Sequence, residues 1–156
     1  MHPFRRTLLK AIGAAIPVVM TASAGLLKTG QALAATWNKT GFDAKAAPDA
    51  LKSLGAVGAQ PSKDVVLTAP DIAENGAQVP VTVTSKIANT QSISIVVEKN
   101  PFPLNSTFDF SSGAEGYVST KLKMGQTSNV IALVKADGKF YSAAKEVKVT
   151  IGGCGG

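Results

Sequence analysis

Histidine and cysteine are nearly absent from the sequence. Its 156 residues include one histidine, His2, and one cysteine, Cys154. A single cysteine cannot form a disulfide within the chain or hold an iron–sulfur cluster alone. His2 lies in a segment with the features of a cleaved leader, so the exported chain has no histidine for a Ser-His-Asp or Cys-His pair, a histidine-bearing zinc site or a His₂Cys copper site. We therefore expect no catalytic residue, no metal site and no cofactor.

The sequence also has little net positive charge once its first 34 residues are set aside. The formal net charge is +6, but the first 34 residues contain four basic side chains and no acidic one. The rest of the sequence has 12 basic and 10 acidic side chains, which removes the main support for nucleic-acid binding. Hydrophobic residues make up 45% of the sequence and charged residues 17%. This composition is typical of a globular domain rather than a disordered chain.

Residues 1–34 have the three parts of a secretory signal peptide. Arg5 and Arg6 begin a basic region, residues 11–27 form a weakly hydrophobic stretch with glycine and proline, and Ala32-Leu33-Ala34 ends the segment. The adjacent arginines resemble a twin-arginine export signal, and the weak hydrophobicity argues against a membrane anchor. The alternative is a general secretory signal with two arginines side by side by chance. We predict cleavage after Ala34 and export to the periplasm.

Residues 35–64 are predicted to be a lead-in with one short helix. Polar and small side chains over residues 35–45 predict a mobile segment, whereas residues 46–59 have apolar residues at helical spacing. Asp49 is the candidate N-cap of this helix, and Gly55 and Gly58 are the candidate ends.

From Val65 to Ile151 the hydrophobic pattern has a period of two, as in strands with one buried face. Alternating or continuous apolar segments cover residues 79–83, 92–97, 118–124, 130–134 and 147–151. Asp137-Gly138 between two of these segments is typical of a tight hairpin. About seven short strands, with no room for crossover helices, predict an immunoglobulin-like antiparallel β-sandwich over residues 65–151.

Two further features of this region each allow two interpretations. Residues 116–151 contain six lysines and two acidic residues. These lysines either steer acidic partner enzymes and favour an anionic group, or form a solvated strand face. The apolar residues Phe102, Leu104, Phe108 and Phe110 favour core packing over an interface.

The glycine-rich segment Gly152-Gly153-Cys154-Gly155-Gly156 follows the last predicted strand. Its four glycines leave the backbone free and give the cysteine no bulky neighbour, so residues 152–156 predict a swinging arm that presents Cys154 on the order of 10 Å from the sandwich. No basic residue adjoins Cys154 and the carboxylate of Gly156 is close, so we expect the thiol pKa at or slightly above its ordinary value. An intermolecular disulfide and a thiol oxidoreductase with a resolving thiol from elsewhere are the alternatives.

The Gly-Gly-Cys-Gly-Gly segment, the twin-arginine leader and the all-β body resemble the SoxY family of sulfur-carrier subunits in the periplasmic thiosulfate-oxidising (Sox) system. The resemblance implies a heterodimer with a second β-sandwich subunit, SoxZ, and sulfur intermediates bound covalently to Cys154. It also implies three partner enzymes: a c-type haem enzyme, a sulfate-releasing hydrolase and a molybdenum sulfur dehydrogenase. The leading hypothesis is therefore a non-catalytic carrier. The alternative is a structural or adhesive immunoglobulin-like module cross-linked through Cys154.

Overall fold

The structure, a computed structural model, describes residues 37–150. The predicted signal peptide (1–34) and the predicted arm (152–156) lie outside the described residues. Within the described range, two helices, α1 (Lys39–Asp43) and α2 (Ala47–Leu54), precede nine strands. The strands are β1 (Gln60–Pro61), β2 (Val65–Thr68), β3 (Ile72–Ala73), β4 (Val79–Ser85), β5 (Thr90–Val97), β6 (Leu104–Asp109), β7 (Tyr117–Leu122), β8 (Ser128–Ala136) and β9 (Lys139–Val149).

The strands form two sheets that pack face to face. The larger sheet has the order β1-β9-β8-β5-β6, with β3 beside the far end of β9, and the smaller sheet has the order β2-β4-β7. The long neighbouring strands are antiparallel, whereas β1 and β3 run parallel to β9. The predicted all-β class and two-sheet sandwich are therefore confirmed.

The main core lies between the two sheets and is made by the predicted alternation. Val81 and Val83 point inward from the smaller sheet, and Ile93, Ile95 and Val130 point inward from the larger one, each at most 1% exposed. Burying a side chain of this size contributes about 1.5–3 kcal/mol relative to leaving it in water. The packing of aliphatic side chains therefore holds the sandwich together without a disulfide between the described residues.

The predicted short helix is α2, which covers the outer face of the larger sheet. Ala50 packs there with Val96 and Leu133 in a second buried cluster. The helix ends at Gly55, which has the left-handed φ of 71° that favours glycine. The prediction of Asp49 as N-cap was wrong: the N-cap is Ala46, without a side-chain bond, and Asp49 lies in the first turn. A carboxylate in the first turn is favourable because it faces the positive end of the helix dipole.

The predicted mobile segment over residues 35–45 was wrong for residues 39–43, which form α1. The Asn38 Oδ1 atom accepts a hydrogen bond from the Gly41 backbone N–H at 3.0 Å and caps this short helix. Gly41 is buried against Leu104 and the Ser53 hydroxyl. This short helix is therefore held in place by its cap and by the packing of Gly41 and Phe42.

The remaining differences concern short strands and aromatic residues. The structure has nine strands rather than about seven within residues 37–150, because β1 and β3 have two residues each. The four apolar residues expected in the core are divided: Leu104 joins the cluster below α2, Phe108 and Phe110 pack against the main core, and Phe102 is exposed. Asp137 and Gly138 have φ angles of 47° and 74°, which confirms the predicted β8–β9 hairpin.

Candidate functional site

The predicted functional residue, Cys154, lies four residues beyond Thr150, the last described residue. The described part of the candidate site is therefore the end of strand β9 up to Thr150, which we call the arm base. The other predicted site residues lie outside the described residues as well: Gly152, Gly153, Gly155, Gly156, Arg5 and Arg6.

The end of β9 is held on two sides by hydrogen bonds. On one side the Thr127 Oγ1 atom accepts a bond from the Val149 backbone N–H at 3.0 Å. On the other side strand β3 lies parallel to β9, and the Ala73 carbonyl accepts a bond from the Thr150 backbone N–H at 3.2 Å. The chain is therefore fixed as far as Thr150. A segment that starts after Thr150 has a defined origin.

Gly76 packs directly against this base. Its carbonyl accepts a hydrogen bond from the Met124 backbone N–H at 2.7 Å. A Cβ atom at position 76 would collide with the Met124 carbonyl oxygen and lie 2.9 Å from Cγ1 of Val149. The residue pair Asn75-Gly76 is typical of a turn. The structural requirement for glycine here is the close approach of another backbone.

Lys145 connects β9 to the segment that precedes β3. Its Nζ atom is 3.0 Å from a carboxylate oxygen of Asp71 and donates a hydrogen bond to the Ala69 carbonyl. The Asp71 carbonyl in turn accepts a bond from the Lys148 backbone N–H at 3.0 Å. Lys145 therefore has a structural role in seating β3 beside the arm base.

Side-chain hydrogen bonds join the two loops next to the arm base. Asn100 in the β5–β6 loop donates from Nδ2 to the Lys123 carbonyl at 2.7 Å and accepts at Oδ1 from the Gly125 backbone N–H at 3.4 Å. Gln126 in the β7–β8 loop donates from Nε2 to the Lys99 carbonyl at 3.1 Å. These hydrogen bonds hold the β5–β6 and β7–β8 loops together, and we call the pair the braced loops.

The six lysines of residues 116–151 do not form a single patch. Lys135 and Lys139 lie at the hairpin end of β8 and β9, whereas Lys123 and Lys148 lie toward the arm base. Lys99 also lies toward the arm base, because strand β5 ends there. No sequence signal identifies it, since its position depends on the pairing of β5 with β8.

A surface groove of about 670 Å³ lies at the other end of the sandwich, between the β4–β5 and β6–β7 loops. Strand β9 has 11 residues and so separates the two ends by roughly 36 Å at about 3.3 Å per residue. Four residues beyond Thr150 extend to about 13 Å. This groove is therefore beyond the reach of Cys154 in the same chain.

The described residues show neither a metal site nor a membrane span. Residues 37–150 contain no group of three or more histidine, cysteine, aspartate or glutamate side chains close enough together to bind a metal ion. In the same part of the chain, neither helix is long and apolar enough to cross a membrane.

A family model described as sulfur oxidation protein SoxY matches residues 51–154. The chain belongs to the SoxY family. Its structure is similar to that of the sulfur carrier protein SoxY from Chlorobium limicola f thiosulfatophilum, with 40% sequence identity and a TM-score of 0.59 over 65% of this chain and 92% of that chain. The predicted family resemblance is thus confirmed, and a sulfur-carrier role is supported.

A second solved structure is similar in fold alone. The superoxide reductase (neelaredoxin) from Ignicoccus hospitalis shares 18% identity with the chain, with a TM-score of 0.50 over 67% of this chain and 93% of that chain. No curated protein matches the chain significantly.

Membership of the SoxY family further implies partners from the sulfur-oxidising system. The family match extends to Cys154 and includes Gly152 and Gly153.

Proposed function

We propose that this SoxY protein is a periplasmic, non-catalytic carrier that holds thiosulfate-derived groups covalently on the Sγ atom of Cys154. The observation that carries the proposal is the family match, which runs through Gly152 and Gly153 to Cys154. Cys154 is the one cysteine of the sequence, so a thiol-bound intermediate has a single attachment point.

The proposed cycle leaves bond-making and bond-breaking to partner enzymes. A c-type haem enzyme joins the sulfane sulfur of thiosulfate to Sγ of Cys154, which loses its proton, and the enzyme accepts two electrons. A hydrolase then adds water at the sulfonate sulfur, releasing sulfate and leaving a persulfide on Cys154. A molybdenum sulfur dehydrogenase accepts six electrons from the remaining sulfane sulfur while three water molecules supply oxygen, which leaves a sulfonate on Sγ. Hydrolysis of this sulfonate releases a second sulfate and restores the thiol. The carrier supplies the thiol and its presentation.

The fixed base and the glycines support this role physically. Hydrogen bonds hold β9 as far as Thr150, and the four following residues extend to about 13 Å. Glycine adds no side chain that would obstruct entry into a narrow active site, and it lets the backbone adopt many conformations. The sulfur can therefore enter a recessed pocket while the sandwich stays outside.

The partner subunit and the location form part of the same proposal. A SoxZ-like β-sandwich subunit forms a heterodimer with the chain in the cytoplasm. The signal peptide of residues 1–34, with Arg5 and Arg6, then directs the folded pair through the twin-arginine route, and cleavage follows Ala34. Because this route transports folded proteins, one leader is sufficient for both subunits.

Intact-mass measurement of the protein purified from thiosulfate-grown cells tests the proposed function. We expect thiosulfonate and persulfide adducts that a reductant removes and that are lost in Cys154→Ser. The variant should keep its fold and its partner, since a serine among glycines changes almost no buried surface. A disulfide-linked dimer as the sole modified form would instead indicate a cross-linked structural module and contradict the carrier.

A further inference from the structure

The arm-base end of the sandwich has an exposed group of cationic and aromatic side chains. We define the arm-end patch as Lys45, Lys99, Phe102 and Lys123. Lys99 and Phe102 lie in the β5–β6 loop, Lys123 follows β7, and Lys45 lies between the two helices. The Lys45 Nζ atom is 3.3 Å from the centroid of the Phe102 ring, and Phe102 is nevertheless 49% exposed.

The patch is held in place by the braced loops. The Lys99 backbone N–H donates to the Ser128 hydroxyl at 3.0 Å, and its carbonyl accepts from Gln126. The Lys123 carbonyl accepts from Asn100 in the loop that contains Lys99. The two cationic side chains therefore extend from a fixed backbone, which lowers the entropy lost when a partner binds.

No carboxylate among residues 37–150 forms an ion pair with a lysine of the arm-end patch. The ion pairs in this part of the chain are Lys39–Asp43 and Lys145–Asp71. Glu98, which precedes Lys99 in the sequence, accepts a hydrogen bond from Asn129 Nδ2 at 2.8 Å. Three lysines thus have no carboxylate partner among the described residues, and an exposed phenylalanine ring lies against one of them. Positive charge around an exposed aromatic ring favours a binding partner that has an acidic surface and an apolar contact for the ring.

The length of the arm decides which partner meets this patch. Cys154 extends to about 13 Å from Thr150, and the braced loops surround the same strand end. An enzyme that encloses Cys154 in a pocket must therefore bring the rim of that pocket against the arm-base end. A second copy of the chain would instead place identical lysines against each other, which is unfavourable.

We propose that the arm-end patch binds an acidic rim, with an apolar contact for Phe102, around the active-site entrance of the enzyme that attaches thiosulfate to Cys154. This inference rests on the proposed carrier function and adds the recognition surface to it. Lys99 and Lys123 accelerate encounter and orient the arm toward the entrance, and Phe102 provides contact area after encounter.

Charge reversal with a matched control tests the inference. The exported chain with its partner subunit is mixed with thiosulfate and the c-type haem enzyme of the same host, and initial rates of conjugation are followed by intact mass. For Lys99→Glu/Lys123→Glu we expect the KM for the carrier to rise about tenfold at low ionic strength, with kcat unchanged. The difference should shrink as salt is added. The control Lys63→Glu/Lys139→Glu makes the same charge change on exposed lysines at the hairpin end.

The outcomes separate the inference from the carrier function. Equal KM values for the two double variants would overturn the inference and leave the carrier intact. Absence of conjugation on the unsubstituted chain would overturn the carrier and, with it, the inference. Thermal unfolding checks that each variant is folded, and Lys99→Gln/Lys123→Gln, which removes charge without reversing it, should give a smaller rise in KM. Phe102→Ser should raise the KM with little salt dependence.

Discussion

Thr127 fixes the end of strand β9 by accepting a hydrogen bond from the backbone N–H of Val149, with an Oγ1–N distance of 3.0 Å. The bond lies one residue before the last described position, on the side of β9 opposite to β3. Strand pairing alone would leave this N–H without a partner, because β8 begins at Ser128, opposite Val147. The Thr127 hydroxyl thus provides Val149 with the hydrogen-bond acceptor that strand β8 does not.

Replacing Thr127 tests the importance of this bond. Thr127→Val keeps the shape of the side chain but removes the acceptor, so we expect a loss of about 1 kcal/mol in the free energy of unfolding. Hydrogen exchange should become faster at the amides of Val149 and Thr150. Urea denaturation and exchange mass spectrometry measure the two effects. Thr127→Ser retains the hydroxyl and should resemble the unsubstituted protein; equal losses in both variants would contradict this account.

Gly76 and Gly125 form a matched pair for the close contact at the arm base. Gly76→Ala places a methyl group against the Met124 carbonyl and near Val149, and we expect a destabilisation of about 1–3 kcal/mol. Gly125→Ala meets no atom within 4 Å and should leave stability unchanged or slightly raised. Thermal and urea unfolding of both variants check this. Similar stability of the two would show that the Met124 backbone moves aside easily.

The features predicted from the sequence are those with a local signal. Strands β4 and β8 have their own hydrophobic pattern, and Asp137-Gly138 marks its hairpin by residue type, so each could be assigned without knowledge of its neighbours. Strands β1 and β3 could not, because two residues have no period and become strands only where β9 offers them backbone partners.

The candidate site also has one part with a local sequence signal and one part without. The prediction of Cys154 rests on its glycine neighbours, which is a property of five consecutive residues. The base of the arm depends on residues far apart in sequence, such as Ala73 and Thr127, which meet only after the sheets pair. Their residue types give no signal, since a threonine hydroxyl and a backbone carbonyl occur throughout the chain.

The glycines beside Cys154 should matter for enzymes but not for small reagents. In Gly153→Val/Gly155→Val, β-branched side chains restrict the backbone and widen the segment. We expect an unchanged rate of alkylation by a small reagent, and a lower rate of conjugation by the thiosulfate-attaching enzyme. Gly153→Ala/Gly155→Ala should give an intermediate rate. If the valine variant is conjugated as fast as the unsubstituted chain, flexibility and narrowness are not required.

The thiol of Cys154 should have an ordinary pKa in the isolated protein. Residues 151–156 include no basic side chain, so nothing local in sequence stabilises the thiolate, which is the reactive form. The alkylation rate should therefore rise with pH until it passes the ordinary thiol pKa and then level off. A pH series on the protein and on a Gly-Gly-Cys-Gly-Gly peptide should give matching curves. A midpoint at lower pH in the protein would indicate that the sandwich itself activates the thiol.

The pairing of β9 with β8 over nine consecutive residues has a mechanical consequence. Nine residue pairs join β9 to β8, and their hydrogen bonds lie perpendicular to the strands. A pull on the segment after Thr150, directed along β9, strains these bonds together in shear instead of opening them one after another. In the proposed carrier, a pull on Cys154 by a bound enzyme is thereby resisted by nine residue pairs of the larger sheet at once.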